Sequence, residues 1–138
     1  MISFNAGTTG FELKNKRLFT AWIKNAIAEC NKKAGDIAFV FMSDDELLEM
    51  NRKYLKHNTL TDIITFNYNE NEVISGDICI SIERVKENAA SFNVDVITEL
   101  KRVMIHGVLH LLGYNDKSDK ESAQMRSQED FYLTKLNF

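Results

Sequence analysis

The chain contains no proline in 138 residues, and it shows no repeat and no low-complexity tract, so nothing in it marks a linker between domains. Cysteine is scarce, with Cys30 and Cys79 far apart in apolar surroundings. There is no CxxC pair, which removes a cysteine zinc site or a redox motif; two buried, reduced thiols are expected. No apolar run approaches the roughly 20 residues that span a bilayer. The opening stretch "MISFNAGTTGFELKNKR" has neither the charged start nor the apolar core of a secretory signal. Excess positive charge is missing too, since net charge is −3 and the isoelectric point is near 5.6. A phosphate-binding surface would have to be local. These absences lead to the expectation of a cytoplasmic protein without a membrane partner, built as one domain over residues 1–138.

What is present reads as an α+β fold. "MISFNAG" alternates weakly, as a first strand does. Asn15 is the candidate cap of a helix through "KRLFTAWIKNAIAECNKK", with Leu18, Trp22, Ile23 and Ile27 as its apolar stripe and Gly35 beyond its end. "DIAFVFM" is a buried strand. Ser43 and Glu46 have capping-box spacing before the helix "DELLEMNRKYL". "TDIITFNYN" and "GDICIS" read as neighbouring strands, and "IERVKENAASFN" as a helix. A second capping box, Ser118 with Glu121, opens a last helix that runs to about Leu136. The sum is about four strands in one mixed sheet, with helices packed on it and oligomeric state left open.

The helix over 97–112, "ITELKRVMIHGVLHLL", is apolar around most of its circumference and so is expected to be buried. Its polar residues, Glu99, Arg102, His106 and His110, fall on one stripe at spacings of 3, 4 and 4. Gly107 costs roughly 1 kcal/mol against alanine inside a helix, and a close backbone approach is one reason to keep it. A pair of ordinary hydrogen-bonded histidines is one reading of His106 and His110. The other is half a metal site. Gly113 can end the helix in the left-handed conformation and bring Asp116 back to the imidazoles. Two imidazoles and a carboxylate are an accepted set for a catalytic zinc with its fourth position open. Asp119 is a second candidate for the third donor and Asn115 a weaker one.

"HGVLHLLGYND" (106–116) resembles the signature of the YbeY family of metal-dependent endoribonucleases, H-G-x-L-H-L-x-G-Y-D-H. "NRKYLKHNTLTDIITF" (51–66) is similar to the family's N-x-x-Y-R-x-x-D-x-P-T-D-V-L-S-F, "GDICIS" to G-D-I-x-I-S, and "TEL" to R-E-L. The resemblance implies one zinc held by three side chains and a hydrolase that cuts single-stranded RNA. It also implies a role in ribosomal RNA maturation and ribosome quality control at the small ribosomal subunit. Carried across, His106 and His110 match two ligands, and Asp116 stands where the family has its third histidine. The family's arginine is Leu55 here, its acidic residue Asn58 and its proline Leu60. Arg52, Lys53, Lys56, His57 and Arg102 are the candidates to replace that arginine, with Arg52, Lys53 and Lys56 the expected RNA contacts. For the lysines and Arg52 the alternative is a solvated helix end.

His57 reads as a surface loop residue, and Thr61 and Asp62, at the start of a strand, read equally as cap or turn formers or as residues of the cleft. Glu99 and Arg102 are expected to form an ion pair; with Lys56 they are also the candidates for a catalytic role at the metal centre. No general base stands out. Two rivals remain: a zinc protease, disfavoured because Gly107 occupies the place of the glutamate in H-E-x-x-H, and a ribosome-associated factor with a closed, structural metal.

Overall fold

The computed structural model describes residues 1–56, 60–136 and 138. Four strands, β1 (Ile2–Asn5), β2 (Lys33–Met42), β3 (Ile63–Asn67) and β4 (Val73–Ser81), form one mixed sheet in the order β1-β2-β4-β3. β1 with β2 and β2 with β4 are parallel, and β3 runs antiparallel to β4. The helices are α1 (Lys16–Glu29), α2 (Asp44–Leu55), α3 (Ile82–Phe92), α4 (Val96–Leu111) and α5 (Asp119–Leu133).

Strand alternation decides which helix covers which face. Ile37, Phe39 and Phe41 of β2 and Ile74, Ile78 and Ile80 of β4 point to one side, where they join Phe19, Trp22, Ile23 and Ile27 of α1 and most of α4 in the main core. Val40 and Met42 of β2 and Cys79 of β4 point to the other, where a smaller cluster gathers around Leu47 of α2 and Ile64 of β3. Cys79 is buried as expected, its thiol pushed up to about 11 by burial and then by Asp77. Cys30, at the end of α1, is only half-buried.

Both capping boxes are formed, at Ser43–Glu46 and Ser118–Glu121. Four expectations shift. The inward face of α1 is Phe19, Trp22, Ile23, Ala26 and Ile27, which keeps the i, i+3, i+4, i+7 rhythm, whereas Leu18 lies one position off that face and is exposed. Asn15 precedes α1 but sits in the left-handed region at φ 61° and makes no side-chain cap bond. α1 ends at Glu29, because Asn31 adopts a left-handed φ of 60° and Lys33 already pairs in β2. α5 stops at Leu133, with the Thr134 hydroxyl donating to the Phe131 carbonyl at 2.6 Å.

Two glycines set how closely α4 lies on the sheet. A Cβ on Gly107 would meet Ile78 Cγ2 at 2.8 Å and Ile63 Cδ1 at 2.9 Å, so the helix presses its backbone onto β4 and β3 there. This is the close approach its place in a helix interior called for. Gly76 of β4 does the same from below: a Cβ would strike the Phe66 carbonyl oxygen and lie 2.9 Å from Leu111 Cδ2. Gly76→Ala is therefore expected to cost about 1–3 kcal/mol, the range for overpacking a tight site. Urea denaturation checks it. A loss below about 0.5 kcal/mol would mean that α4 is not held this close.

Candidate metal centre

α4 is amphipathic in an unusual sense, with a wide apolar side against sheet and helices and one narrow polar stripe. Glu99, Arg102 and His106 of that stripe line a cleft of about 400 Å³ bordered by α3, α4, α5 and the start of β3. At the end of α4 the chain reverses: the Gly113 N–H donates to the His110 carbonyl and the Tyr114 N–H to the Leu109 carbonyl, both at 3.0 Å. Gly113 supports this reversal with φ +104°, a backbone conformation that a side chain would strain. The chain then enters α5 through the Ser118 capping box, and the Ser122 hydroxyl donates to the Asp116 carbonyl at 2.9 Å. Asp116 is thus held in a short turn between two anchored helix ends.

The reversal brings three donors together. His106 Nε2 lies 3.0 Å from His110 Nε2 and 3.4 Å from Asp116 Oδ2, and His110 Nε2 lies 3.6 Å from that same oxygen. Tetrahedral bonds of 2.0–2.1 Å put neighbouring donors about 3.3 Å apart, so the triangle has the size that a zinc-like ion requires. Among the described residues, no fourth His, Cys, Asp or Glu joins the group. Asp119 stands outside it.

A residue that sequence reasoning passed over fixes one of the imidazoles. Glu129 of α5 is 5% exposed, and its Oε2 is 2.7 Å from His106 Nδ1. With a proton on Nδ1, the Nε2 lone pair is left for an ion, the usual way a ligand histidine is oriented. The Glu129 Oε1 accepts from Arg102 at 2.8 Å, and the second nitrogen of Arg102 donates to Asp130 at 2.6 Å. The expected Glu99–Arg102 ion pair is therefore replaced, among the described residues, by pairs across to α5. The signal was present in α5: Met125, Glu129 and Tyr132 form its buried face, and a carboxylate on such a face needs partners.

The electrostatics follow from this packing. Burial pushes the His106 pKa down, but the Glu129 hydrogen bond and charge, aided by Asp116 and Asp62, outweigh it and leave His106 raised. His110 is lowered, by burial and then by His106. Burial acts to raise Glu129, yet its bonds to His106 and Arg102 hold it below the usual carboxylate range. Asp62 and Glu99 both line the cleft, and burial raises both; the charge of Asp62 adds to the shift of Glu99.

The other expected residues divide plainly. Arg102 borders the cleft with its charge committed to α5. Arg52, Lys53, Leu55 and Lys56 end α2 as exposed residues and do not line the cleft, and Leu60 is exposed. The Thr61 hydroxyl donates to the Ile63 carbonyl at 3.3 Å, a turn bond. His57 and Asn58 lie outside the described residues.

The chain as a whole is similar to known proteins. A model of the family described as endoribonuclease YbeY matches residues 2–137. The chain is 52% identical over 130 residues to an endoribonuclease YbeY of Flavobacterium psychrophilum, covering 94% of this chain and 92% of that one. It is 46% identical over 139 residues to that of Phocaeicola vulgatus, covering 99% of each. A solution structure of a Thermotoga maritima protein is similar at a TM-score of 0.63 and 30% identity, covering 96% of this chain and 87% of that one. A fold, a histidine helix and a match of nearly full length thus agree, and the chain belongs to the endoribonuclease YbeY family.

Proposed function

We propose that residues 1–138 act as one metalloprotein domain, a zinc-dependent hydrolase that cleaves single-stranded RNA. In this reading it works in the cytoplasm on ribosomal RNA, in maturation and quality control at the small ribosomal subunit. The observation that carries the proposal is the triangle of His106, His110 and Asp116, of which His106 and Asp116 line a cleft. A closed structural site would surround the ion with four protein ligands; three donors beside a cavity favour a catalytic one. The protease reading stays disfavoured, because Gly107 carries no carboxylate and its place is filled by the approach to the sheet. No helix among the described residues is long and apolar enough to cross a membrane.

A divalent ion in this site supplies a Lewis acid that activates water and stabilises charge on a phosphoryl group. The chain does the rest. His106, His110 and Asp116 provide the donors, and Glu129 sets the tautomer of His106. Asp62 and Glu99, each with proton affinity raised by burial, are the cleft groups suited to hold or pass a proton during attack and departure. α3 and α5 wall the cleft, so an extended strand enters it more readily than a stiff duplex.

Purified protein is expected to hold about one zinc per chain and to cut single-stranded ribosomal RNA. His110→Ala and Asp116→Ala should lose metal and cleavage together while keeping the circular dichroism of wild type. Metal retained by Asp116→Ala would remove Asp116 from the set.

Glu129→Ala is expected to weaken metal binding about 10- to 100-fold, the usual effect of removing a partner that orients a ligand. Competition with a chromophoric chelator reads this, beside a melt to confirm folding. Unchanged affinity would leave Glu129 a purely structural role.

The pH dependence of the metal-free protein has a definite sign. His106 is raised above its ordinary 6.5, so its attraction to Glu129 contributes stability fully present below pH 6.5 and lost as pH rises through the folded value. Glu129 is depressed below its ordinary 4.5, so its contribution is present above pH 4.5 and lost as pH falls through its own folded value. His110 is lowered and acts oppositely to His106. The margin of wild type over Glu129→Gln isolates the pair, and it should shrink as pH rises above 6.5. Metal affinity should grow over that same range as protons leave the imidazoles. A margin that widens instead would contradict the raised His106.

A further inference from the structure

The cleft beside the three donors has more negative than positive groups, with Asp62, Glu99, Asp116 and Glu129 against Arg102 and Arg126. Arg102 is neutralised by its two bonds to α5. Arg126, exposed on α5, takes part in no ion pair or hydrogen bond among the described residues; its charge acts only at a distance, on Glu99. It is the cleft cation still available to an incoming anion.

A second feature of the cleft wall points the same way. Phe92, the last residue of α3, borders the cleft and is 62% exposed. It belongs to neither hydrophobic cluster and pairs with no other ring among the described residues. Asn93, left-handed at φ 56°, turns the chain away directly after it, so the ring stands at the end of a helix. A large aromatic side chain left in water at the mouth of a cleft adds little to stability. It does offer a flat face, and single-stranded nucleic acids bind aromatic faces by stacking their bases.

We propose that Phe92 and Arg126 form a nucleotide subsite at the mouth of the metal cleft. The ring stacks on one base of a single-stranded RNA, and the guanidinium takes a phosphate near the scissile bond. The subsite rests on the endoribonuclease reading and deepens it, because only an unpaired base can turn its face to Phe92. Stacking accepts every base, so the subsite selects single strands without reading sequence. Arg126 supplies the planar, bidentate donor that phosphate prefers.

The test uses metal-loaded protein and a labelled single-stranded oligoadenosine with phosphorothioate linkages, which keep the backbone charge and slow hydrolysis, titrated at several salt concentrations. Phe92→Ala should bind about tenfold more weakly with an unchanged salt slope, and Phe92→Tyr should bind as wild type does. Arg126→Ala should also lose about tenfold at low salt, and its slope of log K against log salt should fall by about 0.7, the loss of one phosphate contact. Metal content and melting temperature should stay unchanged in all three. A merely structural role would not separate the two slopes. If wild type binds and cuts RNA while the variants match it in affinity and slope, the subsite is overturned and the endoribonuclease reading stands. If a duplex competes as well as the single strand, the stacking half is wrong. Wild-type protein that carries metal yet neither binds nor cuts RNA would overturn both.

Discussion

The 2.7 Å contact between His106 Nδ1 and Glu129 Oε2 is the constraint around which this molecule is arranged. Glu129 sits on the buried face of α5, where an unpaired carboxylate would cost several kcal/mol. Two cationic or polar partners, both from α4, offset that cost: Arg102 on one oxygen and His106 on the other. The same two bonds tie α5 to α4 and hold an imidazole in one tautomer. Because the turn between these helices carries Asp116, a charge buried in α5 also governs where the third donor stands. Packing and chemistry are here one problem, and a change at Glu129 acts on both.

α4 in turn is placed by the sheet. Gly76 and Gly107 remove side chains where α4 lies against the sheet, Gly76 under Leu111 and Gly107 against Ile78 of β4 and Ile63 of β3. Asp62, immediately before β3, thereby comes into the same cleft as Glu99 and His106. Its burial raises its proton affinity, and it raises that of Glu99. A cleft with four carboxyl groups is a poor host for RNA if all four are charged. The packing moderates this, since Glu129 is neutralised by its partners, while Asp62 and Glu99 give up their protons less readily than ordinary carboxyls.

What the sequence disclosed was what short-range periodicity encodes. The stripe on α4, the cost of Gly107, both capping boxes and the reversal at Gly113 are local patterns, and each has its structural counterpart. The strand pair 61–69 and 76–81 was legible for the same reason, with β3 and β4 adjacent and antiparallel. What escaped depends on pairing between distant elements. Glu129 lies 23 residues from His106, and only the crossing of α4 and α5 makes them partners. Arg102 was assigned to Glu99 from spacing along one helix, yet a carboxylate on the next helix, already desolvated, attracts it more strongly. On α1 the inward face begins at Phe19, and Leu18, at a spacing of four from Trp22, is exposed instead.

Asp116 joins these strands of argument. The family resemblance implies a third histidine where this chain has Asp116, and in the proposed ligand set a carboxylate takes that place, with oxygen in place of nitrogen. It suits harder cations than a third imidazole would. The exchange has an electrostatic consequence. Two neutral imidazoles and one carboxylate leave a bound divalent ion with one unit less positive charge to offer a phosphate than three imidazoles would. With Leu55 exposed at the end of α2 and Arg102 committed to α5, that deficit falls in a cleft already rich in carboxyls. A free guanidinium on α5 is the kind of compensation such a site needs, and α5 is well placed to provide it, since its own position is locked to the histidine helix through Glu129.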